Sequence, residues 1–391
     1  MLLPGNLACT GGRAKLRGRK RYLTNMHVFL PAILICMTFS LCEGQVNQYQ
    51  VIDLSKFSDG IHHWDLYSPI RSLARLDSAD IIGIADNLLA YQNTDGGWPK
   101  NIDWLAVINP DSVINALSDH YRSSTFDNRN TFPQIEYLSA VYRQTGMDKY
   151  RVSAERGFQY LLNTEYPKGG WRGWDADVIT FNDDVMTGIM QLLLDVKQMD
   201  EKYAWLTPAM RAALFAAYTR GIDVILKCQI VLHGRKTAWC QQHDFNTYAP
   251  AQGRTYEHPS ITANESADVV LFLMRIADPD QSIIDAVNAA VEWLESAKIT
   301  GYRYGKVQIP ARPYHETMID YDFEFVPDPD ARPVWARYYD LETGSPFLSL
   351  RDGTIVYDLA EISFDRRIGY AWYGFWPQRV FARYAEWTQQ H

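Results

Sequence analysis

The feature that most constrains this chain is a repeat: amphipathic helices arrive in pairs, punctuated by tryptophans about 70 residues apart. Trp98 and Trp171 are separated by 73 residues, and Trp171 and Trp239 by 68. A first helix, behind a Ser78 cap, carries Ile81, Ile82, Ala85, Leu88 and Leu89 on one face and stops at Asn93-Thr94-Asp95-Gly96-Gly97-Trp98. Pro133 then opens a helix bearing Ile135, Leu138, Val141 and Tyr142, which Thr145-Gly146 ends. Asp148 caps its partner, with Tyr150, Ala154, Phe158, Leu161 and Leu162, before Lys168-Gly169-Gly170-Trp171. Pairs over 182–197 with 208–228, and 264–277 with 281–298, repeat the plan. A helical hairpin cannot bury its apolar stripe alone, but hairpins stacked side by side bury one another's and gather their long loops at one end. The spacing therefore predicts a mainly α fold, an (α/α)3 toroid or barrel of helical hairpins over about 78–300. After Gly301, Pro310, Pro313, Pro327, Pro329, Pro333 and Pro346 break the helical rhythm. An irregular segment containing short strands, one of them over 354–357, is expected to pack back on the toroid across 301–391.

The first 44 residues read differently. Six Lys and Arg residues between Arg13 and Arg21 precede an apolar run from Val28 to Leu41, the pattern of a secretory signal. That run is too short for an unaided bilayer span, so no stable membrane span is expected after its removal. The remaining chain, 45–391, reads as one domain of a secreted or periplasmic monomer. Losing six basic residues and one acidic residue takes the net charge from −8 to near −13, which argues against nucleic acid as a partner. Of the cysteines, only Cys228 and Cys240 lie beyond the signal. They can be free thiols or one bridge, but they do not spell a zinc site.

Carboxylates and amides collect just ahead of the helices: Asp127 and Asn128 before one, Asn182, Asp183 and Asp184 at the start of another. Such residues are ordinary helix caps, or, if equivalent loops share one mouth, oxygen ligands for calcium. Lys100, Arg172, Arg254 and Arg351 occupy loops as well. Facing one groove, they would bind a polyanion, because guanidinium grips carboxylate through two parallel hydrogen bonds. Aromatic residues make up 13% of the chain, weighted toward Tyr and Trp, and Trp98 and Trp171 are candidates for the rim of a wet groove. These features together favour a uronic acid polymer. His243-Asp244 follows Trp239-Cys240-Gln241-Gln242, but adjacent side chains seldom face each other, so His243 reads as structural or substrate-contacting. No Gly-x-Ser-x-Gly, phosphate-binding glycine loop or His-Glu-x-x-His occurs.

The stretches Gln92-Asn93-Thr94-Asp95-Gly96-Gly97-Trp98-Pro99-Lys100-Asn101, Thr125-Phe126-Asp127-Asn128, Phe181-Asn182-Asp183-Asp184, Trp239-Cys240-Gln241-Gln242-His243-Asp244 and Trp335-Ala336-Arg337-Tyr338-Tyr339 resemble the pectate lyases of polysaccharide lyase family ten. The resemblance runs from about Asp80 to the C-terminus. It implies an (α/α)3 toroid and calcium-dependent β-elimination of de-esterified homogalacturonan, with polygalacturonate as partner. It implies Asp127 and Asp184 around calcium and substrate, with Asp183 and Asn128 as auxiliaries. Arg254 is then the first candidate for the base that removes the C5 proton, and Arg351 the second, or a carboxylate clamp. Lys100, Trp98, Trp171, Arg172, Asn128, His243 and Glu257 are the expected substrate contacts. The chain departs from the family pattern at Arg129-Asn130, where small residues are usual. Two other readings use the same residues: a toroidal glycoside hydrolase with Asp127 and Asp183 or Asp184 as acid and base, or a non-catalytic uronan-binding protein.

Overall fold

The helices form where the apolar spacing places them. The computed structural model describes residues 49–68, 70, 73–107, 122–315 and 317–390, all within one compact unit, Asn47–His391. The signal expected over 1–44 lies outside the described residues, among which no helix is long and apolar enough to cross a membrane. Ten α-helices are described: α1 (Ser58–Tyr67), α2 (Ile81–Tyr91), α3 (Phe132–Thr145), α4 (Asp148–Thr164), α5 (Val185–Lys197), α6 (Pro208–Cys228), α7 (Ala263–Leu273), α8 (Gln281–Ser296), α9 (Phe364–Gly369) and α10 (Pro377–Trp387). The hairpins α3/α4, α5/α6 and α7/α8 each pack as a pair; α2 leans on α3, and α10 on α7 and α8. Helices α3, α5 and α7 also touch in turn, so their apolar faces, including Ile135, Leu138, Ile189, Leu193 and Val270, merge into one core. The first cap differs from expectation. Asp80, not Ser78, accepts from Gly83 N at 2.9 Å, because an N-cap oxygen must stand three residues ahead of the amide it serves.

The recurring tryptophans have a structural job. The last four carbonyls of any α-helix have no partner inside it. Trp98 Nε1 donates to Leu88 O at 2.7 Å, Trp171 to Leu161 O at 2.9 Å, Trp239 to Ile225 O at 2.7 Å and Trp335 to Leu294 O at 2.7 Å. Every one of those carbonyls lies in the last four residues of its helix, α2, α4, α6 and α8 respectively. All four indoles are fully enclosed, so each ring adds buried apolar area to the bond. Glycine makes the approach possible. Gly96 (φ 97°) lies where a Cβ would meet Arg156 O at 2.3 Å, and Gly169 (φ 100°) where it would meet Arg220 O at 2.9 Å. Each turn is thereby pressed against the outer helix of the following hairpin.

The segment after Gly301 is more regular than its prolines predict. Tyr302–Tyr314 and Thr317–Pro327 form a long antiparallel hairpin. The pairing slips between Gln308 and Arg312, which is where Pro310 is accommodated, since a bulge leaves residues outside the ladder. Tyr302 stacks on Phe325 and Tyr304 on Phe323 across the strands. Ile299 and Val334 close the base through reciprocal backbone bonds of 2.8 and 3.0 Å. The interval from Trp239 to Trp335 is 96 residues; without the 26 of the hairpin it is 70, the period of the repeat. The strand expected over 354–357 is present as Ile355–Val356, at the edge of a four-stranded antiparallel sheet with Pro346–Ser349, Tyr338–Tyr339 and Ile261–Thr262. Trp171→Phe keeps a ring in the core but leaves the Leu161 carbonyl only the long 3.5 Å bond from Thr164 Oγ1. It is expected to cost about 1–3 kcal/mol of stability in denaturant titration, and an unchanged midpoint would contradict the pinning role.

Candidate active site

Each tryptophan pin delivers a short loop to the same mouth. Lys100, Gln241 and Arg337 stand two residues beyond Trp98, Trp239 and Trp335, and Trp174 three beyond Trp171. The chain entering α3 and α5 supplies the carboxylates, on unusual backbone. Asn101, Asn128, Arg129, Thr131, Asp183 and Asp184 all have φ between 52° and 66°, the left-handed region that non-glycine residues rarely occupy. Neither Asp183 nor Asp184 caps α5 with its side chain, so the ordinary capping explanation for this pair is overturned. Strained backbone of this kind persists where the surrounding structure over-determines it, and such clusters mark functional sites.

The charges at the mouth form two layers. Asp127 takes the ammonium of Lys100 in a buried ion pair, and Lys100 Nζ lies 4.5 Å from the Trp174 ring centroid. Asn128 Nδ2 donates to Asn101 Oδ1 at 2.7 Å. Asp184 is paired with Arg129, the bulky cation noted in the sequence; it compensates a carboxylate. Asp183 accepts from Asn182 Nδ2 at 2.8 Å but makes no ion pair among the described residues. Burial and the nearby charge of Asp127 push its pKa up to about 8, against the opposing pull of Arg254 and Arg337. Arg254 is clamped by Glu257, whose oxygens accept from Arg254 N and Nε, both at 2.9 Å, and from Nη2. Burial works against the Arg254 charge, but Glu257 outweighs it and raises its pKa. Behind this layer, Arg337 Nη2 donates to Asn182 Oδ1 at 3.0 Å and Glu265 Oε1 at 2.7 Å. Gln241 Nε2 reaches Glu265 at 2.9 Å, and Tyr338 donates to Gln241 Oε1 at 2.9 Å.

Several expected contacts take other roles. Trp98 and Trp171 are fully buried pins, so no sugar reaches them; the ring at the groove is half-buried Trp174. It lines a cleft of 470 Å³ with Arg172, Phe126, Tyr160 and Tyr166. His243 is fully buried: its Nε2 accepts from Cys240 N at 3.0 Å and its Nδ1 donates to Tyr248 O at 2.8 Å. Burial lowers its pKa to about 4, making it a neutral loop tie, not a substrate contact. Glu257 is buried and committed to Arg254. Arg351 is largely exposed and pairs with Asp365 at 2.6 Å. Cys228 and Cys240 are free, buried thiols. Arg337, Glu265, Gln241 and Trp174 were not singled out from the sequence. The signal that finds them is positional: all but Glu265 follow a pin by two or three residues.

Comparison with known proteins agrees with this architecture. A family model described as pectic acid lyase matches residues 92–381. A family 10 polysaccharide lyase from Cellvibrio cellulosa is 28% identical with a TM-score of 0.64, the match covering 86% of this chain and 99% of that one. A mutant of the Cellvibrio cellulosa lyase in complex with trigalaturonic acid matches at 27% identity and a TM-score of 0.65, with the same coverage. No protein of curated function matches the chain.

The residues suit a divalent cation in charge without enclosing one. Among the described residues no group of three or more His, Cys, Asp or Glu side chains is arranged to hold a metal ion. Yet Asp183 faces Asp127 without a cation of its own, and Glu265 Oε2 is buried with no hydrogen-bond partner in the protein. Both Asp183 and Glu265 line a polar cleft of 560 Å³ with Asp59, Asp184, Asp268 and Arg129. A carboxyl with a raised folded pKa binds its proton more tightly folded than unfolded, so its contribution to stability declines as pH rises from about 4 to about 8. In metal-free buffer, Asp183→Asn should therefore melt above the unsubstituted protein, by a margin that widens across that window. A constant margin, or a lower melting temperature at pH 8, would contradict the assigned repulsion.

Proposed function

Since the chain belongs to the pectic acid lyase family and is a polysaccharide lyase, we propose that it cleaves de-esterified homogalacturonan by calcium-dependent β-elimination. The observation that carries this reading is that Asp183, buried and without an ion pair among the described residues, faces the like charges of Asp127 and Asp59 and the guanidiniums of Arg254 and Arg337. Asp127 and Asp183 would hold the cation, with Asn128 and Asp184 as auxiliaries. With two carboxylates from the protein, the remaining oxygens of a six- to eight-oxygen set are left to uronate and water. Calcium supplies charge neutralisation for the uronate carboxylate next to C5, which acidifies the C5 proton.

The protein side of the reaction follows from the charges at the mouth. Lys100, steadied between Asp127 and Trp174, offers an ammonium to a sugar acid, and Arg172 offers a guanidinium beside the neighbouring cleft. Arg254 takes the C5 proton, the electrons of the C5–H bond form a C4–C5 double bond, and the C4–O bond to the next sugar breaks. Its oxygen, reprotonated from solvent, leaves as a new chain end. Arg254 cannot do this while Glu257 holds its proton, so surplus positive charge around it is part of the requirement. Arg351, exposed and paired with Asp365, has less support as a base. The N-terminal signal directs the enzyme outside the cytoplasm, as a monomer acting on a polymer found there.

Polygalacturonate should yield an ultraviolet-absorbing unsaturated product that chelator abolishes. Arg254→Ala should lose on the order of 10²–10⁴ in kcat. Full activity in that variant would move the base to Arg351, and reducing ends without the absorbance would identify a hydrolase instead.

A further inference from the structure

One buried guanidinium near the mouth has no carboxylate ion pair among the described residues. Arg366, in the short helix α9, is 8% exposed, and its Nε and Nη2 have no hydrogen-bond partner in the protein. Among the described residues it makes no ion pair. The adjacent Asp365 is already used by Arg351 and Ser363. What surrounds Arg366 is aromatic: its guanidinium carbon lies 4.1 Å from the Tyr256 ring centroid, 4.5 Å from that of Tyr370 and 5.7 Å from that of Trp372. A buried guanidinium left unpaired is costly, and stacking on rings only partly compensates.

The rings it occupies are shared. Arg254 lies 5.1 Å from the Tyr256 centroid, and Arg337 lies 4.4 Å from that of Tyr370. The sequence Arg254, Tyr256, Arg366, Tyr370, Arg337 is thus a linked series of three cations and two rings. Its buried carboxylates are two, Glu257 on Arg254 and Glu265 on Arg337. Asp175 adds a looser contact to Arg254 at 3.7 Å. The other ionisable groups facing the series are Asp183, toward Arg254 and Arg337, Tyr338, toward Arg337 and Tyr370, and Tyr314 and the more exposed Asp365, toward Arg366. Of the three guanidiniums only Arg366 lacks a carboxylate ion pair among the described residues, so its charge is the uncompensated one.

We infer that Arg366 is a positioning residue for proton removal, its unpaired charge opposing, through the shared Tyr256 ring, the hold of Glu257 on the Arg254 proton. This rests on the lyase reading with Arg254 as base. The two guanidiniums are 5.1 and 4.1 Å from one centroid, so at most about 9 Å apart. At an effective dielectric of about 20, like charges at that distance shift a titration by about one unit. The direction favours loss of the Arg254 proton at lower pH.

The test is the pH profile of kcat/KM for elimination on polygalacturonate by the full chain, with Arg366→Gln and Arg366→Lys. Removing the charge should move the rising limb of the profile up by about one unit and lower kcat at pH 8 about tenfold, with KM changed less than about twofold. Lysine keeps the charge, so Arg366→Lys should hold the limb near its original position. A limb unmoved in a folded Arg366→Gln, or moved equally by both substitutions, overturns the inference. Should the glutamine variant not fold, the lysine variant decides: a limb in place supports the inference and a limb displaced by a unit overturns it. Failure of the lyase reading looks different, because the unsubstituted protein would then form no unsaturated product at any pH.

Discussion

The structure depends on one bond repeated at the ends of α2, α4, α6 and α8: an indole N–H given to a carbonyl that the end of a helix leaves unpaired. Water could satisfy those carbonyls, but a tryptophan satisfies them while sealing the helix end with its ring. The bond also fixes the direction in which the chain leaves. Lys100, Trp174, Gln241 and Arg337 each follow a pin closely enough that their positions are set by the buried indole. The site is therefore carried by loops that are anchored at one end in the core, and the pairs that line it need little further ordering when a ligand arrives.

What the anchored loops assemble is an electrostatic imbalance. Lys100 neutralises Asp127 and Arg129 neutralises Asp184, yet Asp183 makes no ion pair among the described residues, and one oxygen of Glu265 has no hydrogen-bond partner. A few residues away the imbalance reverses: Arg254 and Arg337 have carboxylate partners, while the buried guanidinium of Arg366 has none among the described residues. A neutral sugar would gain little from either region. A chain of uronic acids bridged to the protein by a cation can use both, its carboxylates meeting the cation and its C5 proton meeting the arginines. The left-handed backbone at Asp183 and Asp184 is the conformational cost of aiming carboxylates into the mouth instead of onto their own helix, roughly 1–2 kcal/mol per residue.

Much of the fold was legible because it is written in period and punctuation. Helical spacing and the Gly-Gly-Trp turns placed the hairpins, and Pro133, Gly146 and Pro208 stand at helix ends as their backbone chemistry requires. The long hairpin was not legible, since its prolines suppress the strand pattern locally and only the register slip at Gln308 to Arg312 explains how they fit. At the site, residue type pointed to the right loops but not to burial. Trp98 and Trp171 look like sugar-stacking rings, and His243 like a polar contact, until the solvent is found to be excluded from all three. Glu257 looked like a ligand for the substrate because a sequence does not show that Arg254, three residues earlier, folds back on it. Arg337 sits in a motif that by itself assigns it no role; its closeness to Asn182 and Glu265 comes from elements far apart in the chain.

The central claim is that protein carboxylates and a uronate share one cation at the mouth. Calorimetric titration of calcium, with and without trigalacturonate, measures this directly. The account predicts weak binding to the protein alone, binding tighter by about tenfold or more with the sugar present, and loss of that enhancement in Asp183→Asn. Equal calcium affinity with and without trigalacturonate, or an enhancement that survives the substitution, would contradict it.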